Sequence, residues 1–152
     1  MNFKNRVSPD AKEYLAKRKD ELKEGYSEDA GLLISFDALY DRIKRWENYQ
    51  NHFPESHHTV EANYYYTSYL EMLITGMDNS RVFDLETNIL LPEVKLLYEK
   101  IMNDNPESTT TKIITAYYSF LEHHNFTEND EIQDFLKENN LSTMLGIQPH
   151  LR

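Results

Sequence analysis

The sequence predicts an all-α protein, an irregular bundle of five to six helices forming a single domain over residues 1–152. Three observations lead there. Four glycines and five prolines are all that punctuate 152 residues, which favours long helices over many short strands joined by tight turns. Apolar side chains recur at intervals of three and four in several separate windows, the rhythm of one buried helix face. Hydrophobic residues at 39% and charged residues at 28% suit a globular chain with a core of its own.

Ser8-Pro9 begins the first helix. A hydroxyl cap precedes a proline placed where its missing N–H costs nothing. The helix should run to about Glu24 and stop at Gly25. Its apolar stripe is thin, Ala11, Leu15 and Leu22 with Tyr14 beside it, so residues 1–25 are expected to form a charged, peripheral helix. Ser27 is expected to cap the second helix, with Glu28 and Asp29 near its positive end. Leu32, Phe36, Leu39, Tyr40, Ile43 and Trp46 share one side of it, and Asp37, Asp41, Arg45 and Asn48 share the other. It should end before Pro54.

The third helix begins between Ser56 and Thr59 and ends near Gly76. It contains Tyr64-Tyr65-Tyr66, which no single face can hold. At about 100° per residue, Ala62, Tyr66, Tyr69, Leu70, Leu73 and Met77 fall together. Tyr66 and Tyr69 are therefore core, Tyr65 lies at the boundary, and Tyr64 is expected to face water with Val60 one turn before it. Residues 78–91 read as a small hairpin or a packed loop, built on Val82-Phe83 and Ile89-Leu90-Leu91. Pro92 holds Leu91 out of the helical region and opens the fourth helix, with Val94, Leu97, Tyr98, Ile101 and Met102 inward. Ser108 caps the fifth, whose apolar face holds Ile113, Ile114, Tyr117, Phe120, Leu121 and His124. A short sixth helix is expected to follow Thr127, with Asp130 completing a capping box. Residues 142–152 show no periodicity and are expected to form an irregular tail.

LLYEKIMNDNPES followed by TTTKIITAYYSFLEHHNF resembles one helical hairpin of the tetratricopeptide kind, spanning residues 92–126 with NPES at the turn. The resemblance implies two antiparallel helices there. The other helices do not repeat the pattern at a 34-residue period, so an irregular bundle is expected rather than a solenoid.

Several function classes find no support. Isolated glycines make no phosphate loop, and neither H-E-x-x-H nor a nucleophile elbow occurs. No cysteine is available as nucleophile or metal ligand. Glu55-Ser56-His57-His58 holds a single Glu-x-x-His spacing, where a di-metal bundle needs two together with further glutamates. In an up-and-down bundle, His57-His58 and His123-His124 would stand at opposite ends, roughly 27–30 Å apart. No cofactor or metal is expected. No apolar run reaches the roughly 20 residues of a membrane span, and MNFKNR leads into a polar stretch instead of an export signal. Cytoplasm is the default compartment, and a chain trimmed of its signal would read the same way.

Net charge is −10. Residues 1–24 carry seven Lys/Arg against five Asp/Glu, while the remainder carries nine against twenty-one. A phosphate backbone would be repelled by most of the molecule, so no nucleic-acid partner is expected. The expected function is a non-catalytic module that binds, inhibits or neutralises a protein partner of basic character. The residues expected to touch it are Val60, Tyr64 and Tyr65 on the third helix and the acidic group Glu128, Asp130, Glu131 and Asp134. The alternative is a small-ligand binder or enzyme with an interhelical pocket near His124, using hydroxyls such as that of Tyr117.

Overall fold

The computed structural model describes residues 7–142 and is built from six helices and two very short hairpins. The helices are α1 (Pro9–Glu24), α2 (Phe36–His52), α3 (Thr59–Thr75), α4 (Pro92–Met102), α5 (Thr109–His123) and α6 (Glu131–Glu138). The all-α expectation holds. The expected tail lies outside the described residues from 143 onward.

Two antiparallel pairs make the body. Along α2 and α3, Tyr49 meets Ser56, Trp46 meets Tyr65 and Arg42 meets Tyr69, so the helices run in opposite directions. Along α4 and α5, Thr111 bonds the carbonyl of Ile101 and Tyr118 bonds Glu99, again antiparallel. This is the hairpin expected at 92–126. The pairs are joined by buried polar bonds: the Tyr98 hydroxyl donates to the Leu73 carbonyl at 2.7 Å, and the Tyr66 and Thr110 hydroxyls meet at 3.1 Å. Around them the core closes on Leu39, Ile43, Trp46, Leu70, Leu73, Ile101, Ile114 and Leu121. Phe120 and Met102, placed inward by periodicity, are only partly buried at its edge.

The starts of α2 and α6 differ from expectation. Ser27 does not cap a helix. Ser27–Glu28 (β1) pairs with Gly31–Leu32 (β2) around Asp29 and Ala30, both at positive φ, the geometry of a primed two-residue turn. The true cap of α2 is Ser35, whose hydroxyl accepts from the Ala38 N–H at 3.1 Å. Tertiary contacts override the local helix signal. The β1–β2 tip packs against a second hairpin, Gly76–Met77 (β3) with Ser80–Arg81 (β4). Asn79 donates from its backbone to the Ala30 carbonyl and from its side chain to the Asp29 carbonyl, and the Ser80 hydroxyl accepts from the Leu32 N–H. Gly76 has φ +68, and a Cβ there would stand 2.6 Å from the Ser80 carbonyl oxygen.

Beyond β4, where a small hairpin or packed loop is expected within 78–91, Val82, Phe83 and Leu90 are buried and Phe83 bridges Leu90 in antiparallel fashion. Thr127 does not cap α6 but bridges Ile89. The helix starts at Glu131, whose N–H is taken by the side chain of Asn129. Phe126 in a left-handed conformation turns the chain along the 83–90 loop before α6 can begin. Among the described residues, no helix is long and apolar enough to cross a membrane.

Candidate functional site

The first surface considered is the one α1 creates. Its bounds are as expected, with Pro9 in the first turn and Gly25 beyond the end at φ 74, but the Ser8 hydroxyl makes no cap bond and goes to the Asp10 side chain instead. Its orientation is not. The stripe of Leu15 and Leu22 faces water, at 57% and 72% exposed, and the buried residue is Glu21, at 2%. Glu21 accepts from the Trp46 indole N–H at 2.7 Å, the Tyr69 hydroxyl at 2.8 Å and Arg18 at 2.9 Å. Arg42, also buried, donates to the Tyr69 hydroxyl, to Glu24 and to the Gly25 carbonyl. Above this network Tyr14 lies against Trp46 and stacks on the His58 ring at 4.2 Å. At the other end of the contact Asp10 accepts from Ser56, and the Ser56 and Ser8 hydroxyls hold its pKa down near 2. A buried carboxylate is tolerable when its lone pairs are filled by donors, and here the donors come from α1, α2 and α3. Sequence periodicity could not find this, because it assigns inward faces by apolarity.

The α3 residues expected to touch a partner have unequal surroundings. Val60 is 70% exposed. Tyr65 is partly buried, lying 5.1 Å from Trp46 and beneath the Arg18 guanidinium at 4.0 Å. Tyr64 is half-buried instead of fully wet, because its ring meets the edge of Tyr65 at 5.6 Å.

The acidic group lies just before α6 and along it. Glu128, Asp130, Glu131, Asp134 and Glu138 are all exposed. Three of them have partners: Arg81 on Glu128 at 3.1 Å, the His124 ring on Glu131 at 3.4 Å and Lys137 on Asp134 at 3.4 Å. Beside them lies a groove of about 370 Å³ lined by Thr75, Phe83, Asn88, Glu128, Asp130 and Gln133 among others. Arg81 shows what this rim can hold. Its guanidinium bonds Glu128 with one nitrogen and the Phe83 carbonyl with another.

His124 closes α5. Its Nδ1 is 2.8 Å from the Phe120 carbonyl, its Nε2 faces Glu131, and its ring lies 4.4 Å from that of Phe120. Both ring nitrogens thus have protein partners. Tyr117 is fully buried and its hydroxyl has no hydrogen-bond partner. The rings of Tyr98, Phe120 and Phe135 surround it, and burial raises its pKa. His58 is occupied separately, with Glu61 at 3.4 Å and the Tyr14 ring. Among the described residues, no three of His, Asp and Glu converge to hold a metal ion.

Comparison of the chain with protein-family models, with curated proteins and with solved structures finds no match in any of the three. The functional reading therefore rests on this chain's own surfaces.

Proposed function

We propose that this protein is a non-catalytic binding module that docks a basic protein partner on the acidic surface around α6. The observation that carries the reading is the exposure of Glu128, Asp130, Glu131, Asp134 and Glu138 along one short segment, with Lys137 as the only cation inside it. Such a surface raises the rate of encounter with a cationic partner and orients it before contact. Val60 and Tyr64 lie toward the opposite end of α3 from Thr75, which lines the groove beside the acidic group, so they stand outside this surface. Partner binding of this kind serves inhibition or neutralisation equally well.

The test is a pull-down from the native host at low ionic strength, eluted with a salt gradient. The bound protein should be basic and should leave the column early in the gradient. The double variant Glu131→Lys, Asp134→Lys should lower its retention by at least about tenfold, since two like charges then face the partner. Retention indifferent to salt and to both substitutions would overturn the reading.

The unpartnered Tyr117 hydroxyl is the one observation that favours a small polar ligand instead. A ligand there would have to pass the rings of Phe120 and Phe135, and His124 would have to leave Glu131 to serve it.

A further inference from the structure

The inverted setting of α1 has a consequence for its outer side. At about 100° per residue, Leu15 and Leu22 are nearly in line, and Lys19, Lys12 and Lys23 follow on the side away from the buried Glu21. All five are exposed. Leu33, 55% exposed, lies beside Gly25 at the helix end. Its Cδ1 lies 3.0 Å from where a Cβ on Gly25 would be, so the missing side chain at Gly25 makes room for it.

The charge on this face is as unusual as its apolarity. The chain has 26 acidic residues against 16 basic ones, and most described cations are engaged within the molecule. Lys17, Arg18, Arg42, Lys44, Arg81, Lys100, Lys112 and Lys137 make ion pairs. Lys95 lies over the Phe126 ring. Lys12, Lys19 and Lys23 have neither kind of partner among the described residues, and outside α1 the same is true only of Arg45. Three of the protein's four unengaged described cations thus line up beside its two most exposed α1 leucines.

We propose that the outward face of α1 is a second docking surface, opposite in charge to the one around α6, which takes an apolar helical segment edged with carboxylates from another protein. Leu15 and Leu22 would cover the partner's apolar side. Lys12, Lys19 and Lys23, spread over twelve residues or roughly 16 Å of helix, would meet its acidic edge. Charge complementarity selects the occupant: a basic partner suited to α6 is repelled here. The buried network at Glu21 fixes α1 so that this face is presented ready-made, without the ordering cost of a free helix.

The test uses two synthetic amphipathic peptides of equal length, one with leucines edged by glutamates and its twin with lysines in their place. Titration into the full chain carrying Glu131→Lys and Asp134→Lys, which removes the attraction for cations at α6, is followed by calorimetry at low ionic strength. The glutamate peptide should bind and the lysine twin should not bind to this face. Leu15→Ser with Leu22→Ser should weaken the glutamate peptide by at least about tenfold, given the worth of two buried leucines. The exposed positions leave the fold intact, which circular dichroism and Trp46 emission check. Lys12→Glu, Lys19→Glu and Lys23→Glu together should move the preference to the lysine twin. Equal affinity for both peptides, failure of the glutamate peptide to bind, or binding that survives loss of the leucines would overturn the proposal. So would concentration-dependent dimerisation abolished by the leucine variant, which assigns the face to a second copy. Binding to anionic phosphatidylserine vesicles in place of the peptide would likewise overturn it in favour of a lipid surface. With Glu131 and Asp134 reversed in charge, the lysine twin reports on the α1 face alone, so this face and the α6 surface stand or fall separately.

Discussion

Glu21 concentrates more of the fold on one side chain than any other residue of α1. Its two carboxylate oxygens receive the Trp46 indole, the Tyr69 hydroxyl and Arg18, and through Tyr69 they connect to the buried Arg42. Removing the carboxylate leaves two buried donors unfilled and an arginine without its nearby counter-charge. Breaking a buried charged network from one side costs about 3–5 kcal/mol. Glu21→Ala should therefore destabilise the protein by that order in urea unfolding, and Glu21→Gln, which keeps one acceptor, by about half as much. The chain has a single tryptophan, so emission reports the event directly. Loosening of α1 would shift Trp46 to the red before global unfolding. An unshifted spectrum with unchanged stability would show that α1 is held by its aromatic contacts alone.

Among elements, the helices carried their own signatures and the hairpins did not. The apolar faces of α3, α4 and α5 repeat at helical spacing, and Ser108, Pro92 and Gly76 mark where elements start and stop, so their boundaries were legible. Strands of two residues offer no periodicity to read. Ser27-Glu28 looks like a helix start because its side chains are those of a cap, and what overrides them is contact with Asn79 and Ser80, some fifty positions away in the chain. The acidic cluster around α6 was legible for the same reason the helices were, since charge is a local property. The outward face of α1 was not, because its direction is decided by partners on α2 and α3. The joined hairpins yield their own test. Gly76→Ala places a Cβ into the Ser80 carbonyl at a backbone angle that L residues rarely adopt. It should cost about 1–3 kcal/mol, whereas Gly31→Ala, where the nearest contact is the Asn79 Cβ at 3.2 Å and φ is unexceptional, should cost less. Thermal unfolding of the two variants side by side checks the order, and a reversed order would mean that the hairpin contact is looser than described.

At the scale of the whole molecule, the tyrosines set the response to alkali. Nine of the eleven have raised pKa values, in each case chiefly because burial disfavours the phenolate. Tyr26, Tyr66 and Tyr118 are pushed up to about 12 from the ordinary 10.0, and Tyr98, buried between the two helical pairs, is raised well above the usual value. For a group whose neutral form the fold favours, the stabilisation is complete below the unfolded value and disappears as pH rises through the folded one. Unfolding free energy should thus hold to about pH 10 and fall steeply between 10 and 12, with many phenols contributing to one slope. On the acid side the sign reverses. Asp10, held near 2 by the Ser56 and Ser8 hydroxyls, and Asp84 and Asp104, lowered chiefly by hydrogen bonds from Thr87 and Tyr40, lend stability that is present above about pH 4 and lost toward 2. Urea unfolding across pH 2 to 12, with absorbance near 295 nm to count ionised phenols, distinguishes this from a general effect of net charge. If burial governs, most phenols should ionise together with unfolding in one cooperative step above pH 10, while the acidic body, already at −10 near neutrality, grows only more negative. A gradual, non-cooperative rise in absorbance with the fold intact would mean that water already reaches these hydroxyls, and that the aromatic contacts joining α1, α2 and α3 are not the sealed junction described here.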